Sequence, residues 1–208
     1  MKNLFNFHNA KLPDLGLSSS ENVISTQYDV INDSISILTR SDEDLNIKQF
    51  KKTGQLLSIE SIPISNVLLS ENDNFSLISF KNQEIFNKYT TILSNGNILE
   101  TYYTVVDDDV IEANTSIVGT IDTGIMAASW SPDEEQLSLI TKSSDSDKLK
   151  MILFTPDFDI LNEYVFELDD LKKSKNVNVG WGNKTTQFRG KGKRQQEREL
   201  LSSLQNSG

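Results

Sequence analysis

Gly124-Ile125-Met126-Ala127-Ala128-Ser129-Trp130-Ser131-Pro132-Asp133-Glu134-Glu135-Gln136-Leu137-Ser138-Leu139-Ile140-Thr141 sets two apolar runs on either side of a Trp-Ser-Pro-Asp step. Pro132 presets φ for a tight turn, and Asp133 offers a carboxylate to the turn's own amides. Trp130 closes the first run, where an indole can pack between neighbouring layers. Two more short runs follow, at residues 149–154 and 162–166. The spacing therefore predicts four strands in one unit, at 126–130, 137–141, 149–154 and 162–166.

The same rhythm runs back toward the amino terminus. Strands are expected at residues 34–38, 45–50 and 56–59, with turns at 39–44 and 52–55. Further strands are expected at 75–80, 84–89 and 101–106, with a turn at Lys81-Asn82-Gln83 and a tight one at Asn95-Gly96-Asn97. No helical period stands out before residue 190. Units of about 45–55 residues, each of about four short strands, are the mark of β-propeller blades. Propellers of the WD type carry a Trp-Ser-Pro-Asp step between the first and second strands of a blade. The expected fold class is thus all-β: an incomplete WD-type β-propeller of three blades plus the start of a fourth. A β-sandwich of ordinary hairpins is the alternative.

Composition agrees with a strand-rich chain. Of 208 residues 37% are hydrophobic, and there is no cysteine, so disulfides and thiolate zinc sites are excluded. The net charge is −10. From Gly180 onward six basic residues face Glu197 and Glu199, which makes that end +4 and leaves −14 for the rest. This asymmetry suggests an acidic folded part, residues 1–182, and a flexible basic tail, residues 183–208, with a short helix near its end. No apolar stretch approaches the roughly 20 residues of a membrane span. Cytoplasm is the expected location, with the nucleus open.

Groups that could carry chemistry are few. His8 is the one histidine, and no Gly-x-Ser-x-Gly accompanies it. Asp42-Glu43-Asp44, Asp107-Asp108-Asp109, Asp133-Glu134-Glu135 and Asp169-Asp170 lack calcium-loop spacing and read as solvated turns. Gly190-Lys191-Gly192-Lys193 resembles a phosphate loop only in part, because Arg194 follows where Ser or Thr belongs. Lys191, Lys193 and Arg194 form instead a basic stretch whose weak RNA or anion contacts would fade with salt. No catalytic residue, cofactor or metal ligand is expected.

One segment is distinctive. Asn176-Val177-Asn178-Val179-Gly180-Trp181-Gly182-Asn183-Lys184-Thr185-Thr186-Gln187-Phe188-Arg189-Gly190 resembles the Val-x-Val-Gly-Trp-Gly-x-Lys-x-Thr-Gln-Phe-x-Gly motif of the largest Elongator subunit, the IKAP family. The stretch from Asp122 to Glu135 and the opening Met1-Lys2-Asn3-Leu4 resemble the same family. The resemblance spans residues 1 to about 193, and residues 194–208 do not follow the pattern.

The resemblance implies a non-catalytic scaffold with two amino-terminal propellers, a helical-repeat region and a dimerisation region that this chain lacks. It implies partners: a catalytic subunit with a radical-SAM cluster and an acetyltransferase-like domain, and a second propeller subunit. It implies tRNA as an indirect partner, modified at carbon 5 of the wobble uridine. Trp130, Ser131, Pro132, Asp133, Gly180, Trp181, Gly182, Lys184, Gln187 and Phe188 are the motif positions. Trp181 is expected to pack and the glycines to shape a turn. A propeller adaptor outside Elongator is the alternative function, and a propeller-fold hydrolase or lyase a third. A few blades do not close a ring of 4–8, so an isolated chain of this length is expected to be marginal or prone to aggregate.

Overall fold

Alternating apolar and polar side chains drive this chain into short antiparallel strands. The computed structural model describes residues 17–70, 73–83, 86–106, 110–143, 148–167, 178–181 and 186–189. Four strands form the first sheet: β1 (Asn22–Asp29), β2 (Ser34–Arg40), β3 (Asp44–Lys51) and β4 (Leu56–Pro63). One helical turn, α1 (Ile64–Val67), leads to the second: β5 (Leu77–Gln83), β6 (Lys88–Leu93), β7 (Asn97–Val106) and β8 (Val110–Thr120). The third holds β9 (Ile125–Trp130), β10 (Leu137–Lys142), β11 (Lys148–Phe154) and β12 (Ile160–Glu167). In each, strands pair in chain order, as in a propeller blade. A fourth sheet begins with β13 (Asn178–Trp181) paired to β14 (Thr186–Arg189). The chain is all-β, with the blades of an incomplete β-propeller. No helix among the described residues is long and apolar enough to cross a membrane.

The chain divides into two compact units, Met1–Asn66 with Tyr103–Asn114, and Val67–Tyr102 with Thr115–Gly208. In the first, Ile37, Leu38, Leu45, Ile47, Phe50 and Ile62 are buried. The Glu21 carboxylate organises the polar side of this sheet. It accepts from Lys48 Nζ (2.6 Å), Thr39 Oγ1 (3.1 Å) and Asn46 Nδ2 (3.3 Å). The β1–β2 turn is held by Asp29, whose carboxylate accepts from the Asn32 amide (2.8 Å), Asn32 Nδ2 (2.9 Å) and the Tyr103 hydroxyl (3.3 Å). These buried carboxylates are thus paired, as low-dielectric surroundings require.

In the second unit one core cluster joins Ile92 and Ile98 of β6 and β7 to Ile125, Leu137, Leu139, Ile152 and Phe154 of the third sheet. Trp130, Ile121 and Phe158 pack against it. A second cluster, Ala127, Ile140, Leu149 and Met151, lies under Tyr164, Phe166 and Val179.

The third sheet follows its sequence expectation to within about two residues at each end. The second does not. Lys81-Asn82-Gln83 belongs to β5, and β6 starts only at Lys88. Asn82 and Gln83 are buried, and the Gln83 Oε1 accepts from the Thr90 hydroxyl across the sheet (2.7 Å). The Gln83 carbonyl is thus spent inside the sheet rather than on a turn, while its Nε2 is buried without a hydrogen-bond partner among the described residues. Phe75 and Ser76 precede β5, although Phe75 is buried. Thr39 and Arg40 complete β2, which leaves only residues 41–43 as the turn. The strands β1 and β8 and the single turn α1 have no counterpart in the sequence reading. The β14 strand falls inside the stretch expected to be tail, because Thr186-Gln187-Phe188-Arg189 pairs residue for residue with Arg189↔Asn178 through Thr186↔Trp181. His8 lies outside the described residues, as do Asp107-Asp108-Asp109 and Asp169-Asp170.

Candidate functional site

The features that give the second unit its form converge on the seam between β6–β7 and the third sheet. Ser94-Asn95-Gly96 makes the turn between β6 and β7, and Ile121-Asp122-Thr123-Gly124 connects β8 to β9. The two segments bond backbone to backbone. The Ile121 amide donates to the Gly96 carbonyl (3.0 Å), and the Ile125 amide donates to the Ser94 carbonyl (3.0 Å). Close approach dictates glycine at both points. Gly96 has φ +107°, and a Cβ there would lie 2.0 Å from the Ile121 carbonyl oxygen. Gly124 has φ +75°, with the Ser94 carbonyl 2.7 Å from a Cβ.

Asparagines brace the turn. Asn95 Nδ2 donates to the Val67 carbonyl (2.9 Å) and to Asp73 Oδ2 (2.8 Å). Asn97 Nδ2 donates to the same Val67 carbonyl (2.7 Å), and the Thr120 hydroxyl donates to Asn97 Oδ1 (2.7 Å). The carbonyl freed at the end of α1 is therefore satisfied by side chains from the next turn.

A buried ion pair stands nearby in the same unit. Lys88 Nζ bonds Glu100 Oε1, and both side chains are almost fully buried. The ammonium also donates to the Pro156 carbonyl of the β11–β12 turn (3.2 Å). It lies 5.6 Å from the Phe86 ring and 5.7 Å from the Tyr102 ring. The Tyr102 hydroxyl donates to Glu100 Oε2 (2.9 Å), and burial first, then that carboxylate, raises its pKa above the usual tyrosine value.

The Trp130-Ser131-Pro132-Asp133 turn is built as its sequence implies. The Ser131 hydroxyl donates to Asp133 Oδ1 and accepts from the Gln136 amide (2.9 Å). The Glu135 amide donates to Asp133 Oδ1 (3.3 Å), and Glu134 takes φ +61°. Glu134 pairs with Lys81 of β5 (2.7 Å). The Ser131 hydroxyl, then the Glu135 amide, hold the Asp133 carboxyl below the usual range.

Trp181 and Trp130 differ in a way the sequence does not show. Trp181 Nε1 donates to the Ser129 carbonyl of β9 (3.0 Å), and Val179 joins the second core cluster, so β13 is docked on the third sheet. Trp181 is half-buried. Gly180 does not shape a turn: it lies within β13, exposed, with open space where a Cβ would sit. Gln187 and Phe188 lie in β14, of which only the backbone is described. Gly182, Lys184, Lys191, Lys193 and Arg194 lie outside the described residues. The Trp130 indole N–H is buried without a hydrogen-bond partner among the described residues. Trp181→Phe is therefore expected to cost about 1 kcal/mol, the net worth of one such bond, whereas Trp130→Phe stays closer to neutral. Urea midpoints of the two variants test the order.

Acid should loosen the fold in a defined direction. Glu21 is held below its usual value of 4.5 chiefly by Lys48, and Asp33 below 3.8 chiefly by the Tyr28 hydroxyl. Asp73 and Asp133 are lowered as well, by the Leu69 amide first and the Ser131 hydroxyl first. Each carboxyl releases its proton more readily when folded, so its stabilisation is complete above the ordinary carboxylate range. That stabilisation is lost as pH falls through the ordinary values toward the lowered ones. Urea midpoints should hold steady down to about pH 5 and drop below it. A midpoint that rises on acidification would contradict the assignment.

The family described as ELP1 first N-terminal beta-propeller matches residues 1–207. Over 191 residues the chain is 39% identical to Elongator complex protein 1 of Saccharomyces cerevisiae, covering 89% of this chain and 13% of that protein. It is 41% identical over 87 residues to the Mus musculus protein of that name, covering 39% of this chain and 6% of that protein. The Schizosaccharomyces pombe protein is 38% identical over 87 residues, covering 41% of this chain and 6% of that protein. The chain thus spans 13% or less of the length of these relatives. A solved periplasmic gluconolactonase of Pseudomonas aeruginosa shares 9% identity at a TM-score of 0.39, over 69% of this chain and 39% of that one, and is no guide to activity here.

Proposed function

We propose, because this chain belongs to the ELP1 first N-terminal beta-propeller family, that it serves as a non-catalytic platform in the Elongator complex. The observation that carries this reading is the 39% identity to Elongator complex protein 1 across 89% of the chain. The physical logic supports it. Backbone bonds at the seam, a buried ion pair and a docked β13 fix one sheet against the next, and rigid elements present surfaces well. In this role the chain helps hold the catalytic subunit and a second propeller subunit, and so supports modification of tRNA wobble uridines at carbon 5. It works in the cytoplasm, with a nuclear pool, and touches tRNA only through the assembly.

The test is a chimera. The matching region of the yeast relative is replaced by this chain, and wobble-uridine modification is measured by mass spectrometry of tRNA. Restored modification, with both partner subunits co-purifying, is the expected result. A stable chimera that recovers neither partner would overturn the reading.

A further inference from the structure

Asn95-Gly96 is the only Asn-Gly step in the chain. In a flexible peptide such a step is chemically fragile, because no side chain on glycine shields its nitrogen from the preceding side-chain amide. Here the seam opposes the reaction at the leaving amine and at the attacking nitrogen. The Asn95 amide is held away from that nitrogen by its bonds to the Val67 carbonyl (2.9 Å) and Asp73 (2.8 Å). Its Oδ1 accepts from the Asn97 amide (3.3 Å). The Gly96 N–H, which must lose its proton to attack, donates to the Leu93 carbonyl (3.1 Å). Asn95 itself is only 9% exposed, which limits access of water to the leaving amine.

We propose that Asn95 is a deamidation site that the seam keeps silent and that opening of the seam releases. In the step, the Gly96 nitrogen loses its proton and forms a bond to Asn95 Cγ. The bond from Cγ to Nδ2 breaks, and Nδ2 leaves as ammonia, taking up a proton from solvent. One water then opens the cyclic imide at either carbonyl, which leaves aspartate or its isopeptide isomer. The balance is amide plus water to carboxylate plus ammonium, with no oxidant or reductant.

The product does not fit the site it came from. Its carboxylate would face the Val67 carbonyl and the Asp73 carboxylate, with no hydrogen left to donate to either. The isopeptide form also adds a backbone atom beside Gly96, whose carbonyl must meet the Ile121 amide. A transient opening would thereby become a permanent one.

Peptide mapping of the intact chain tests this. The chain is held in mildly alkaline buffer, folded or in urea, then digested, and the Asn95 peptide is followed by mass spectrometry for the gain of one dalton. Circular dichroism checks that the folded sample keeps its β structure. Conversion in the folded sample should be at least about a hundredfold slower than in urea, as for other chemistry gated by local opening. Asp73→Asn, which keeps the shape but removes a charged acceptor, should speed the folded sample by several-fold. Equal rates in folded and unfolded chain would overturn the proposal. So would a folded Asp73→Asn chain that reacts no faster than the parent.

Discussion

Replacing Gly96 with alanine should cost about 4 kcal/mol or more, which places it among the rare single substitutions able to unfold a domain. Two effects combine. The residue sits at φ +107°, where an L side chain is strained. The added Cβ would lie 2.0 Å from the Ile121 carbonyl oxygen, a backbone atom that cannot swing aside as a side-chain tip would. Relief requires the β6–β7 turn to part from the β8–β9 connection, which surrenders the bonds from Ile121 and Ile125. Gly119→Ala supplies the control. It lies in β8 with open space at the Cβ position, so alanine there should be neutral or stabilising by about 0.5–1 kcal/mol. Circular dichroism with urea titration measures both. A Gly96→Ala chain as stable as the parent would show that the close approach at the seam is wrong.

The second large effect belongs to Glu100. Glu100→Ala strands the Lys88 ammonium, whose side chain is 3% exposed, with the Pro156 carbonyl and two ring faces as its remaining support. Removing one member of a buried pair costs about 3–5 kcal/mol, because the survivor stays charged and desolvated. The double change Lys88→Met with Glu100→Leu removes both charges at similar volume and should regain most of that loss. Recovery in the double variant separates a desolvated charge from a simple cavity, which two apolar replacements would not repair so fully. If the single and double variants fall equally, the pair is not what stabilises this part of the sheet.

How much of this could be read from the sequence depends on how local each signal is. The Trp130-Ser131-Pro132-Asp133 turn is legible because its chemistry lies within six residues: Ser131 bonds Asp133 and the Gln136 amide, and Asp133 the Glu135 amide. The third sheet is legible because its inner strands β10 and β11 bury Leu137, Leu139, Ile140, Leu149 and Met151 in recognisable runs. Lys81-Asn82-Gln83 misleads because polarity signals a turn only when it is left to water, and Gln83 spends part of its polarity on Thr90 across the sheet. Edge strand β1 hides for the opposite reason, since much of it is exposed and too polar to mark a core strand. Asn95-Gly96 is visible as a turn, but the need for glycine there comes from Ile121, twenty-five residues on. Lys88 and Glu100 carry no mark of burial at all, because what makes their burial tolerable is the partner each supplies to the other. The bond from Trp181 to Ser129 spans 52 residues and is likewise beyond local reading.

The seam also bears on which changes in gene length this chain can absorb. Its two segments recognise each other through main-chain amides and carbonyls, which every residue except proline supplies in full. Asp122, between Ile121 and Thr123, can therefore drift in identity at small cost, whereas Thr123 is also held by its hydroxyl's bond to the Thr141 hydroxyl (2.5 Å). The number of residues between Ile121 and Gly124 cannot drift. Inserting or deleting one codon there would displace the Ile125 amide from the Ser94 carbonyl by a residue and turn every side chain of β9 to the opposite face. Ala127 would leave the cluster it shares with Ile140, and Ala128 the one it packs against. Single-codon indels at residues 122–123 should thus be purged where substitutions of Asp122 persist, a constraint on length written by the backbone.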